Sequence, residues 1–324
     1  MNRLFLMMHL LDYRFRTGGD VLFRNMSEQG DACMIPVVRV KNIGIWSAYK
    51  TTLVWTIPFV YLRRIIKFFI KPNPIENKYI ISNDFLVNCV IAWYYRKQII
   101  WDAYIFHVIP WHRTKMSIIR CIVSWAMQRM SFFIIKRYAS NVMVLCNTVK
   151  YQLMNLGFKE EKIVVKKPTI DIKFIDTIQA DVKRYTAIYV GRIDVMKGVY
   201  DLPALWSIAA CDNRDAIMGI IGTGNTEILD TLINEYAQVD KIDILTNVSD
   251  AEKFRIMKSS DIFIMPSKEE GYCLAIDEAL YCGMKVFAYD IPVFREVYGD
   301  RITYAQNRMD MGFKILNYLR KHGR

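Results

Sequence analysis

Two carboxylates, Glu270 and Glu278, stand eight residues apart in the segment from Pro266 to Leu280, Pro-Ser-Lys-Glu-Glu-Gly-Tyr-Cys-Leu-Ala-Ile-Asp-Glu-Ala-Leu. An apolar run from Ile262 to Met265 precedes them and reads as a buried strand. The residues beyond read as a helix, with Glu270 on the loop above it and Glu278 about two turns inside. In an open α/β sheet, ligands bind beyond the carboxyl ends of strands, where helix N-termini offer unpaired N–H groups and a positive dipole end. A glycine such as Gly271 lets the backbone approach a ligand there. Two acids that accept hydrogen bonds from hydroxyls, beside amides suited to phosphate, point to a phosphorylated polyol.

Arg192 and Lys197 follow the predicted strand Ala187–Val190. Fixed cations at such a place stabilise negative charge that develops on a departing phosphate, and an arginine adds a bidentate fork that lysine lacks. In the first half of the chain, Gly18-Gly19-Asp20 lies between a predicted strand, Leu4–Leu10, and a predicted helix, Asp20–Glu28. The glycine pair reads as a phosphate-approach loop or as a plain turn. His107 ends the predicted strand Ala103–Phe106 in Phe-His-Val-Ile-Pro, and His112 follows in Pro-Trp-His-Arg. Each reads as a ligand contact or as a satisfied core histidine.

The elements that must position these groups alternate along the chain. Strands are expected at Cys33–Val40, Tyr79–Ser82, Ala103–Val108 and Asn141–Leu145, with helices at Phe85–Tyr95, Lys115–Tyr138 and Val149–Leu156. After Lys166-Lys-Pro-Thr169 the pattern restarts, with strands expected at Ala187–Val190, Ala216–Ile221, Ile242–Leu245, Ile262–Met265 and Lys285–Ala288. Short buried strands separated by helical stretches indicate parallel, doubly wound sheets. The restart implies two α/β domains with a cleft between them.

Four segments together carry a family resemblance. The stretch from Glu270 to Glu278 resembles the Glu-x7-Glu motif of retaining GT-B glycosyltransferases of the group 1, family 4 type. Tyr189-Val-Gly-Arg-Ile-Asp-Val-Met-Lys-Gly198 is similar to that family's strand, Gly-Arg and downstream Lys-Gly. Ile221-Gly-Thr-Gly224 resembles its Gly-x-Gly turn, and Ser260 to Ser267 its approach to the acidic motif. The resemblance implies two Rossmann-like domains: residues 1–168 for the acceptor and 169–308 for a nucleotide-sugar donor. Residues 309–324 would then be a short form of the family's C-terminal helix, which packs back toward the first domain.

By the same resemblance, Arg192 and Lys197 hold the donor diphosphate, with Gly19 approaching from the first domain, and Glu278 holds the ribose. Glu270 orients the donor sugar, with Glu269 its rival should the alignment slip by one. His107 reaches the donor sugar, with His112 as its rival. Gly271, Tyr272, Cys273 and Leu274 form the sugar and phosphate loop. Cys273 departs from the family's glycine and adds a side chain where backbone should approach the ligand. The implied reaction is transfer of a hexosyl unit, with retention, to a glycan, lipid or lipid-linked saccharide. No metal is implied to be essential. A non-catalytic basic scaffold on this fold and a GT-B sugar-nucleotide epimerase are the competing readings.

Composition narrows the class. The seven cysteines are dispersed without a Cys-x-x-Cys pair, and the four histidines do not cluster. This reads as reduced thiols of a cytoplasmic protein, with no metal site. Residues 1–150 hold 21 Lys+Arg against 7 Asp+Glu, whereas 151–324 hold 23 against 25. From Ala103 to Lys159 there are eight basic residues and no acid. That field favours an anionic partner. The aromatic and cationic helix Lys115–Tyr138 and the segment Ile45–Ile70 fit peripheral contact with an anionic membrane face. No base-reading module is recognisable, which makes nucleic acid the less favoured partner. The most apolar stretch, Thr51–Leu62, is too short to span a bilayer.

Overall fold

The computed structural model describes residues 3–6, 32–35, 78–82, 89, 93, 100–109 and 118–322, apart from 181, 183, 214 and 237–239. The chain divides into two compact units, Met1–Pro168 and Thr169–Arg324. Gly18, Gly19, Asp20, His112 and the segment Ile45–Ile70 lie outside the described residues, as does the helix expected at Asp20–Glu28.

Among the described residues the first unit holds six strands: β1 (Arg3–Leu6), β2 (Ala32–Ile35), β3 (Lys78–Ser82), β4 (Ile100–Ile105), β5 (Val142–Val144) and β6 (Ile163–Val165). They form one sheet in the order β2-β1-β3-β4-β5-β6, and every neighbouring pair is parallel. Strand β4 ends at Ile105 rather than Val108, so His107 lies two residues past the strand instead of completing it. The Gln128 side chain holds that exit, accepting from Ile109 N at 2.8 Å and donating to His107 O at 3.0 Å. Gln128 sits on helix α1 (Ile118–Tyr138). Its Phe132 and Ile135 are buried, and Phe132 meets Phe158 edge-on at 5.3 Å. Helix α2 (Asn147–Asn155) is closed at its C-terminal end by Lys136, whose ammonium donates to Leu156 O.

The described residues of the second unit also hold six strands: β7 (Ala187–Ile193), β8 (Met218–Gly224), β9 (Ile242–Leu245), β10 (Ile262–Met265), β11 (Lys285–Tyr289) and β12 (Thr303–Ala305). Their order is β12-β11-β10-β7-β8-β9, all parallel. This is the dinucleotide-fold strand order: the first strand, β7, lies between the second, β8, and the fourth, β10. Connections leave β7 and β10 in opposite directions, which opens a crevice at their carboxyl ends. Strand β10 and the first three residues of β7 are buried, and both strands read as nearly continuous apolar runs, as parallel strands covered on both faces must.

The remaining helices of this unit are α3 (Ile172–Asp176), α4 (Leu202–Ala209), α5 (Glu227–Glu235), α6 (Asp250–Lys258), α7 (Leu274–Tyr281), α8 (Pro292–Tyr298) and α9 (Arg308–His322). Helix α9 packs on α4 within the unit. Gly312 makes that approach close, because a Cβ there would stand 2.9 Å from Ile208 Cβ and 3.0 Å from Leu205 O. Among the described residues no helix is long and apolar enough to cross a membrane.

Gly198 fixes the exit from β7. Its φ is 67°, and a Cβ on it would fall 1.9 Å from Pro266 O, at the exit from β10. Alanine there must move one of the two backbones. We expect Gly198→Ala to lower stability by about 2–4 kcal/mol, measured as a loss of midpoint in urea denaturation.

Candidate donor-binding site

Asp194 follows strand β7 and caps the short turn beyond it, accepting from Met196 N at 2.8 Å and Lys197 N at 3.1 Å. An aspartate in that extended position satisfies amides that the turn leaves open. The cap presents Lys197 above the carboxyl end of the sheet. The loop leaving β10 is tied to it, since Lys268 N donates to Met196 O at 2.9 Å. Lys268 also pairs with Asp201 at 2.9 Å, and the Tyr289 hydroxyl donates to the same carboxylate oxygen at 3.0 Å. Exits from β7, β10 and β11 are thereby joined at the crevice.

Lys197 and Glu270 meet there. The ammonium lies 2.5 Å from Glu270 Oε1, and the Ser267 hydroxyl donates to the same oxygen at 2.9 Å. Both charged side chains are largely removed from water, Glu270 to 8% exposure and Lys197 to 21%. Burial pulls the lysine pKa down, and the facing Glu270 carboxylate more than offsets it, leaving the group above the ordinary lysine value. Arg192 stands differently. It pairs with Asp194 at 3.3 Å while 56% exposed. A surface pair of that kind contributes about 0–1 kcal/mol, so its guanidinium is easily recruited by another anion.

Glu278 is the fifth residue of α7, one turn from the helix start rather than two. Lys253, from α6, lies 2.8 Å from its Oε2. Sequence reasoning missed Lys253. The pairing spans elements 25 residues apart, and no local spacing reports it.

The loop between the two acids is held from beneath. Cys273 occupies the cap position of α7 without making a side-chain cap hydrogen bond, where a serine or aspartate would ordinarily close the first turn. It is buried, and burial pushes its thiol far above the usual cysteine range. Such a thiol is not a nucleophile. The Tyr298 hydroxyl, itself buried at the end of α8, donates to Cys273 O at 2.6 Å, and the ring of Tyr272 lies 6.2 Å from that of Tyr298. Tyr298 is a second residue that sequence reasoning missed.

Of the sequence-predicted groups, the second unit thus brings Arg192, Lys197, Glu270, Gly271, Tyr272, Cys273, Leu274 and Glu278 to the ends of β7 and β10 and the start of α7. Glu269 is on the same loop, and Glu270 is the acid that faces Lys197. His107 belongs to the first unit. Among the described residues no group of three or more His, Cys, Asp or Glu has the arrangement of a metal site.

Two parallel doubly wound sheets, the second with charged groups at its switch point, define a GT-B fold. Anabaena HepE in complex with UDP-glucose superposes with a TM-score of 0.73 at 15% identity, over 99% of this chain and 90% of that one. The pneumococcal O-GlcNAc transferase GtfA, in complex with UDP and GlcNAc, gives 0.60 at 13% over 76% and 50%. A Staphylococcus aureus (S. aureus) TarM variant, in complex with fondaparinux, alpha-GlcNAc-glycerol and UDP, gives 0.58 at 15% over 75% and 48%. The chain therefore spans about half the length of GtfA and TarM. No curated protein matches the sequence significantly. Residues 171–308, within the second unit, match the family model described as "Glycosyl transferases group 1".

Tyr298→Phe deletes a single hydroxyl and leaves the Cys273 carbonyl without its donor. We expect a stability loss of about 1–2 kcal/mol, read from the denaturation midpoint, with no change in secondary structure by circular dichroism.

Proposed function

We propose that this protein is a retaining glycosyltransferase that moves a hexosyl unit from a nucleotide-diphosphate sugar to a hydroxyl of a glycan, lipid or lipid-linked acceptor. The observation that carries the reading is the convergence of Arg192, Lys197, Glu270 and Glu278 on the switch-point crevice of a group 1 domain. In the reaction, the bond from the sugar's anomeric carbon to the diphosphate oxygen breaks, and its electron pair leaves with the nucleoside diphosphate. The acceptor oxygen bonds to the same carbon and on the same face, and its proton passes to the departing phosphate oxygen.

Each residue has a role fitted to that sequence. Arg192 and Lys197 stabilise the charge that grows on the diphosphate. The uncapped first turn of α7 adds backbone N–H groups and its dipole to the same phosphates. Glu278 accepts hydrogen bonds from the ribose hydroxyls, and Glu270 from those of the sugar. No resident metal is required, because fixed cations do the charge stabilisation.

The acceptor side rests on the first unit. Helix α1 mixes apolar residues with the cations Arg120, Arg129, Lys136 and Arg137, and its Ile122, Met130 and Phe133 are exposed, Phe133 to 73%. Lys136 and Arg137 flank them at the end of the helix. An apolar stripe edged by cations, in a segment without acids, suits the headgroup region of an anionic membrane.

Two measurements test these assignments. Nucleoside diphosphate release from a panel of UDP-, GDP- and ADP-sugars should appear with one donor and persist in EDTA. Lys197→Ala should lower kcat about 10²–10³-fold, whereas Glu278→Ala should act mainly by raising KM for the donor. No release from any donor by folded protein would favour the scaffold reading. In the second, the protein should co-sediment with anionic vesicles and not with neutral ones, and Phe133→Asp should abolish this. Equal sedimentation by the variant would remove α1 from the acceptor side.

A further inference from the structure

The resting site is electrically closed. Each of its cations already has an acid: Arg192 has Asp194, Lys197 has Glu270, and Lys253 has Glu278. A diphosphate that enters must compete for these cations, and the three pairs do not resist equally. The Arg192 pair is loose and solvated, so its guanidinium swings to a phosphate at little cost. The Lys197 pair is short, shielded from water and reinforced by the Ser267 hydroxyl on the same carboxylate oxygen. The cation nearest the sugar-handling acid is thus the one most firmly occupied.

We propose that the Lys197–Glu270 pair is a latch that the donor's diphosphate opens: the phosphate takes the ammonium from Glu270, and the carboxylate so freed becomes the acceptor for the sugar's hydroxyls. This deepens the donor-site reading above and rests on it. One event then couples the two halves of the donor. The sugar-binding acid is released only when a diphosphate has taken its partner, so a free sugar finds Glu270 engaged. An anion too weak to displace the carboxylate does not open the site. Ser267 steadies the carboxylate in the closed state, as its hydrogen bond goes to the oxygen that Lys197 holds.

The latch has a consequence that a purely sugar-binding role for Glu270 lacks. Neutralising an acid that only touches sugar leaves the affinity for a nucleoside diphosphate unchanged. Neutralising the latch leaves the Lys197 ammonium without its counter-charge, and the diphosphate no longer has to displace anything. Glu270→Gln is therefore expected to bind the nucleoside diphosphate about tenfold more tightly while losing sugar transfer.

The test is calorimetric titration of the full-length chain with UDP, GDP and ADP in turn, using wild type, Glu270→Gln, Lys197→Met and the double variant. Tighter binding by Glu270→Gln, with the gain absent in the double variant, supports the latch, because the cycle assigns the gain to Lys197. A gain that survives in the double variant is general charge relief and overturns it. Equal or weaker binding by Glu270→Gln, with wild type binding normally, overturns the latch and leaves the donor-site reading standing. Failure of folded wild type to bind any of the three nucleotides removes both. Should Glu270→Gln not fold, Glu270→Asp withdraws the carboxylate by one methylene and must show the same direction of change.

Discussion

The parallel pairing of β7 with β10 is the constraint on which the site depends. In register, Ala187 lies beside Ile262 and Ile188 beside Phe263, so the two strands start side by side and run in the same direction. Their exits diverge because the next strand in sequence lies on opposite sides of the pair. Everything chemical in the second unit is a consequence of what the chain does in the few residues after those strands. The β7 exit turns under an aspartate cap and a left-handed glycine, and the β10 exit is tied to it by one backbone hydrogen bond. Between them, Lys197 and Glu270 come within contact distance although 73 residues separate them.

Rigidity below the crevice and readiness within it have different sources. Below lie fully buried Phe263, Ile264, Val286, Phe287 and Ile276, which fix sheet and helix by packing. Inside it are ion pairs, whose partners exchange without a change in the core. The Tyr298 hydroxyl and the Asp201 carboxylate connect the two layers, each joining a loop at the rim to an element held by the core. That division suits a site that must accept a charged ligand without rebuilding its scaffold.

Much of the second unit was legible in the sequence, because its strands are apolar runs and its functional groups follow them directly. Ile242–Leu245 and Ile262–Met265 carry the expected bounds, and Lys285–Tyr289 extends its expected bound by one residue. One edge strand of each sheet, β6 and β12, was not anticipated. Each has three residues, too few for periodicity to register, and each exists through pairing with a neighbour already in place. His107 was placed at a strand end because its neighbours are apolar. The strand stops earlier, where Gln128, 21 residues further on, takes over the backbone hydrogen bonds. That substitution of side chain for strand partner leaves no local signature.

The sequence by itself determined which groups stand at the crevice, since a residue directly after a buried parallel strand can lie only at that strand's carboxyl end. It also determined the charge imbalance between the two halves, which is a sum over residues and needs no fold. Tertiary structure alone decided which acid meets which cation. Lys197 with Glu270, Lys253 with Glu278 and Tyr298 beneath Cys273 are contacts between segments distant in the chain. Strand order brings such segments together, and strand order is settled by long-range packing, so spacing along the sequence carries no trace of it.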